Sequence, residues 1–136
     1  MADGDPDGIQ AGFKRALGQF AGGVAVIAAG IGDRRRGLTA TAICSLSADP
    51  PKMLVCVNKS AEAHDVIADT GCFSINFLRH DQRGLAERFA ALDGSKGASR
   101  FADAPWDRLV TGAPVLSSAV AEIGRASCRE RVLPTV

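Results

Sequence analysis

The chain has 136 residues, 46% of them apolar and 23% charged, with 16 basic against 15 acidic side chains. That suffices for one domain with one core and excludes a disordered or fibrous chain. No basic stripe is interleaved with aromatics and no apolar run reaches the ~20 residues of a membrane span, so neither nucleic acid nor a bilayer is the expected partner.

The acidic start, Met1 to Gly8, is the opposite of a secretory leader and points to a soluble cytoplasmic protein. Ile9, Phe13, Leu17 and Phe20 then recur at spacings of four, four and three, one face of an amphipathic helix that Gly22-Gly23 ends. Val24 to Ile31 is apolar and β-branched and reads as a buried strand. A polar turn with Arg34 to Arg36 follows. From Leu38 to Ser47 the residues alternate, Leu38, Ala40, Ala42 and Cys44 on one side and Thr39, Thr41, Ile43 and Ser45 on the other, as in one strand with a polar face.

Asp49-Pro50-Pro51 breaks the chain, and the short apolar run Met53 to Val57 predicts a central strand. Ser60 is a suitable N-cap for a helix to about Asp69, closed by Thr70-Gly71. Cys72 to Leu78 predicts a fourth strand, and Asp81 a cap for a helix that buries Leu85, Phe89 and Leu92. Residues 93 to 114 read as a loop holding Phe101 and Trp106, and a further strand begins at Val115 to Ala121. Strands joined by short turns, with helices at intervals, predict a small antiparallel barrel with helices outside it rather than a doubly wound sheet.

Cys44, Cys56, Cys72 and Cys128 form no CxxC and stand at no metal-ligand spacing from His64 or His80, so reduced thiols and no metal site are expected. The first three lie in apolar segments, where cysteine acts as a small hydrophobe. There is no Gly-x-Ser-x-Gly elbow, P-loop or GxGxxG, and no catalytic acid, base or nucleophile is assigned. Both histidines read as ordinary surface or boundary residues.

Two segments suit ligand binding. Asn58-Lys59-Ser60 lies between a strand and a helix start, where free N–H groups, the helix dipole and a lysine favour an anion. Glu62 in the first turn supports the alternative, a plain helix cap beside a solvated lysine. Along Gly37 to Ser47, small residues beside Thr39, Thr41 and Ser45 let a flat ligand approach the backbone. The alternative is a half-exposed strand that uses threonine for its β-propensity.

Residues 122 to 132, Glu-Ile-Gly-Arg-Ala-Ser-Cys-Arg-Glu-Arg-Val, match one reading frame of a common short-read sequencing adapter. A non-native tail over 122–136 is therefore expected, with the genuine domain at 9–121 and interrupted there; a natural polar C-terminal helix is the alternative. The adapter text does not account for Leu133 to Val136. Without Glu122, Arg125, Arg129, Glu130 and Arg131 the charge count falls from 16 against 15 to 13 against 13, and Cys128 is lost as well.

Gly37-Leu38-Thr39-Ala40-Thr41-Ala42-Ile43-Cys44-Ser45-Leu46-Ser47, followed by Asp49-Pro50-Pro51, resembles the flavin reductase-like family with its FMN-binding split barrel. The likeness is greatest to the reductase components of hydroxyphenylacetate monooxygenases and to pyrimidine-utilisation reductases. Supporting matches are Phe13 to Gly23, Leu54-Val55-Cys56-Val57-Asn58-Lys59-Ser60, Phe73 to Leu78 with Gln82, Arg88-Phe89-Ala90, Arg100-Phe101, Trp106, and Gly112 to Leu116. Together they cover about residues 9 to 121.

The resemblance implies a mainly β fold with flanking helices, a six-stranded Greek-key split barrel, incomplete at its C-terminus. It implies a homodimer with FMN or FAD at the subunit interface, NADH or NADPH as hydride donor, and an oxygenase component that receives reduced flavin. By position, Gly37, Leu38, Thr39, Thr41 and Ala42, with Ser45, would line the ring and ribityl. Cys56, Asn58, Lys59 and Ser60 would hold the ribityl and phosphate end, and Arg100 would add positive charge there. The family's further strands include a Gly-x-His segment on the nicotinamide side that this sequence lacks, so a poorly soluble, weakly active chain is expected. The competing readings are a flavin- or haem-binding split barrel without reductase activity, and an empty structural barrel.

Overall fold

Ala25–Ala29 forms β1, in which all five residues are withdrawn from solvent. A strand so uniformly apolar needs cover on both faces, and the fold is built around meeting that need. The structure, a computed structural model, describes residues 6–126. After helix α1 (Pro6–Gly18) and β1 come a short 3-10 turn (Gly32–Arg34), β2 (Arg36–Ala40), β3 (Ile43–Ala48) and β4 (Pro51–Val55). Then follow α2 (Glu62–Thr70), β5 (Cys72–Phe77), α3 (Arg83–Phe89), a 3-10 segment (Gly97–Phe101), β6 (Trp106–Arg108), β7 (Pro114–Leu116) and β8 (Ala121–Ala126).

The main sheet has the order β2-β1-β5-β8 and is antiparallel throughout. Ile27 pairs with Leu38 on one side and Ile75 on the other, and Ile75 in turn pairs with Ile123. On one face Ala25, Ile27, Ala29 and Ile75 pack with Ala63, Val66 and Ile67 of α2, and Met53 and Val55 of β4 cover the margin. On the other, Val26 and Ala28 meet Phe89 and Phe101, with Trp106 alongside. The three rings cluster with centroids 4.8–5.5 Å apart, Phe101 edge-on to both Phe89 and Trp106 and these two tilted against each other.

Ser74 and Asn76 are fully buried on this second face and fully partnered. Asn76 Nδ2 donates to Val26 O (3.0 Å) and Ser74 Oγ (2.9 Å), and its Oδ1 accepts the Leu116 N–H (2.8 Å). Ser74 Oγ donates to Pro114 O. The network fastens β7 to the sheet, and satisfied groups of this kind cost little to bury. The remaining strands make two hairpins, β3-β4 and β6-β7, so among the described residues the wall is split into three sheets and not closed.

Several expectations change. The alternating run 38–47 is two strands: β2 stays on β1, while the chain bends at Thr41-Ala42 and β3 pairs with β4. Alternation continues through the bend and cannot reveal it. The run 53–57 is not central. β4 belongs to a two-stranded hairpin, with Met53 and Val55 half-buried and Leu54 outward. The loop 93–114 contains the 3-10 segment and β6, and the strand expected at 115–121 is divided between β7 and β8.

Ser60 does not cap α2, which starts at Glu62 with Ala61 at its N-cap; Gly71 closes it, with φ 66°. Asp81 does not cap α3 but pairs with Arg79 through two hydrogen bonds (2.6 and 3.0 Å), and hydrogen bonding to that guanidinium lowers its pKa. Leu92 is exposed. α1 ends at Gly18, before the predicted Gly22-Gly23 stop, and its stripe of Ile9, Phe13 and Leu17, with Phe20 beyond, faces outward. Cys44 and Cys56 are exposed and not buried hydrophobes; with Cys72 they are free thiols, while Cys128 lies outside the described residues, as do residues 127–136 of the predicted tail.

Candidate active site

β2 is an edge strand of the main sheet, and among the described residues no strand borders its outer side. There it faces the turn before α2 and the loop that links α3 to the second 3-10 segment, and the three surround an open cavity of about 500 Å³. That volume lies within the ~300–1,000 Å³ range of small-molecule and cofactor sites.

Gly37 sets the floor. A Cβ there would lie 2.7 Å from Phe89 Cε1 and 3.0 Å from Ile27 O, so the bare backbone is what lets the Phe89 ring lie against β2. Thr39 Oγ1 donates to Ala86 O (2.6 Å), which ties β2 to α3. Arg100 is buried and braces the opposite wall: Nη1 donates to Gly37 O (3.2 Å), and Nε and Nη2 donate to Ser95 O (3.1 and 3.0 Å). The loop carries its own turn, in which Asp93 Oδ1 accepts the Ser95 N–H (2.9 Å). Hydrogen bonds from Ser95, reinforced by Arg88, lower the Asp93 pKa. Ala91 has φ 61°, an unusual value for a residue with a side chain, and Gly94 has φ 77°.

Of the residues singled out from sequence, Gly37, Leu38, Thr39, Ser60 and Arg100 line this cavity together. The others do not. Thr41 and Ala42 occupy the exposed β2-β3 bend, and Ser45 is exposed on β3. Cys56 is exposed beside that bend, its N–H donating to Ala42 O (3.0 Å). Asn58 and Lys59 are exposed in the turn before α2.

That turn is not an open anion cradle. Asn58 Oδ1 accepts both the N–H and the hydroxyl of Ser60 (3.0 Å each), and Asn58 O accepts the Ala61 N–H (3.0 Å). An asparagine that bonds the backbone two residues on competes with helix capping, which is why the donors counted as free are spent. The lining residues not anticipated are chiefly Glu62, Phe89, Ser95 and Lys96. The Gly and Ser spacing of 94–97 was the available signal, but it read as a connector.

Among the described residues no group of three or more His, Cys, Asp or Glu side chains could hold a metal ion, and no helix is long and apolar enough to cross a membrane. The lining combines the β2 backbone and the Phe89 ring with the Ser60 hydroxyl, the Glu62 carboxylate, the Lys96 ammonium and the Arg100 guanidinium.

The FMN reductase (NADH) RutF 2 of Methylorubrum extorquens is 39% identical over 121 residues, covering 88% of this chain and 69% of that protein. The 4-hydroxyphenylacetate 3-monooxygenase reductase component of Salmonella typhimurium is 34% identical over 109 residues, covering 80% and 64%. Among solved structures, the NADH:FAD oxidoreductase SgcE6 of Streptomyces globisporus superposes with a TM-score of 0.77 at 33% identity, over 90% of this chain and 72% of that one. BorF, the flavin reductase component of a bacterial two-component tryptophan halogenase, gives 0.76 at 32% identity, over 86% and 73%. The chain thus spans about two thirds of the length of the curated relatives it matches. These neighbours bear out the mainly β split-barrel fold. The family description "Flavin reductase like domain" matches residues 17–129, and the chain belongs to that family.

Proposed function

We propose that this chain is the flavin-seating part of an NAD(P)H:flavin oxidoreductase, which moves hydride from a nicotinamide to FMN or FAD and hands reduced flavin to a partner oxygenase. The observation that carries the reading is the β2 wall: a free strand edge, a glycine pressed on a phenylalanine, and a cavity of cofactor size in front of them. Bound flavin supplies the hydride-accepting chemistry. The residues of this chain supply the seat. Gly37, Leu38 and Thr39 present backbone to the ring system, while Ser60, Lys96 and Arg100 mark the polar end suited to ribityl and phosphate. The names of the relatives, FMN reductase (NADH) and NADH:FAD oxidoreductase, favour NADH as donor. A cytoplasmic setting fits the free thiols.

Thr41, Ala42, Ser45, Cys56, Asn58 and Lys59 lie outside the cavity, on the exposed bend, on β3 and on the turn before α2. In our reading they meet the same ligand once a second copy of the chain covers that surface, so that the complete site belongs to a homodimer. The test is flavin-dependent NADH oxidation by the 136-residue chain, beside quenching of FMN fluorescence. FMN binding is expected, with slow NADH consumption that stops when flavin is omitted. A folded chain that binds no flavin would overturn the proposal, and one that binds flavin without consuming NADH or NADPH would reduce it to a flavin carrier.

A further inference from the structure

One carboxylate stands at the polar end of the cavity. Glu62, in the first turn of α2, accepts the Gly97 N–H through Oε2 at 3.0 Å, and the same oxygen lies 3.8 Å from Arg100 Nη1. The Arg100 side chain is 9% exposed, whereas that of Glu62 is 41% exposed and lines the cavity. A buried guanidinium and a backbone N–H on the wall opposite α2 are thus both met by a negative charge that is itself half in water. Across the cavity, the Ser60 donors are held by Asn58, which leaves Lys96 as the exposed cation of the lining.

We propose that Glu62 is a specificity-determining residue that restrains binding of the flavin's phosphate end. The proposal rests on the flavin reading above and deepens it. A phosphate monoester entering here must displace the carboxylate from Gly97 and share Arg100 with it, or remain beside a like charge. Either way the phosphate adds little to the affinity set by the ring system, and FMN is held only modestly better than riboflavin. Weak retention suits a flavin that leaves after reduction, because binding energy placed on the phosphate would slow its release.

The test titrates the full chain and its Glu62→Gln variant with FMN and with riboflavin, following flavin fluorescence. Glutamine keeps the side-chain length and an acceptor for the Gly97 N–H, so only the charge is removed. The FMN dissociation constant is expected to fall about fivefold, the scale of one partly exposed charge pair, with the riboflavin constant unchanged. A merely structural role would move both flavins together, and that result, or no change in either, would overturn the proposal. The unaltered chain gives a second readout that needs no variant: its preference for FMN over riboflavin should stay below about tenfold, and a preference above about a hundredfold overturns the proposal. If the unaltered chain binds neither flavin, the flavin reading itself falls and takes this proposal with it. If it binds both while Glu62→Gln leaves their ratio unchanged, only the role of Glu62 is lost.

Discussion

Gly37 shows how one missing methyl shapes both the core and the site. The Phe89 ring occupies the space a Cβ would need, and it cannot slide away because Phe101 stands edge-on at 5.0 Å and Trp106 at 5.5 Å. Gly37→Ala must therefore displace either the aromatic cluster or β2. Overpacking of this kind costs about 1–3 kcal/mol, and the denaturant midpoint should fall accordingly. An unchanged midpoint would show that the cluster yields freely. Sequence marked Gly37 as a place where a ligand nears the backbone, yet the neighbour demanding the glycine in this structure is the protein's own Phe89. Thr39 teaches the same lesson, since its hydroxyl is bound to the Ala86 carbonyl. Arg100 was marked for its charge, and it acts mostly as a brace between β2 and Ser95. A residue's type reveals what it can bind; which partner reaches it first is decided by packing.

At the level of elements, the buried strands and α2 were legible because their patterns come from burial. β1 is apolar throughout, β5 alternates around Ser74 and Asn76, and α2 buries Ala63, Val66 and Ile67 at helical spacing. The β2-β3 bend was not legible, because it preserves the alternation on either side. Nor was the direction in which α1 faces. Its stripe is amphipathic, but Ile9 is 65% exposed and Phe13 62%, and in β3-β4 Leu46 is 59% and Leu54 43% exposed alongside two free thiols. Periodicity shows that a face is apolar, not whether its cover comes from the same chain. The homodimer proposed above would place a second copy over these faces, since contiguous exposed apolar surface of this kind marks an interaction site. Sedimentation equilibrium should give a two-chain mass for the unaltered protein and a one-chain mass for Leu54→Lys. A monomer without the substitution would count against the dimer and against the shared flavin site.

For the whole molecule the open question is the sequence from Glu122 onward. β8 pairs six residues with β5, from Phe77 opposite Ala121 to Cys72 opposite Ala126, and the family match continues to residue 129. The segment thus extends the main sheet and lies within the span of the family match. Ladder hydrogen bonds are made by backbone and accept almost any side chains, so pairing of this kind says little about their origin. The residues themselves are more telling: Glu122 to Val132 match one adapter reading frame at eleven consecutive positions. We therefore propose that residues 122–136 are adapter-derived and that the native chain departs from this sequence after Ala121. A long read of the source gene across codon 121 decides the matter. The frame is expected to continue into further strands with a Gly-x-His segment. A gene that encodes Glu122 to Val136 as written would overturn the adapter reading and shift the balance toward a flavin-binding protein without reductase activity.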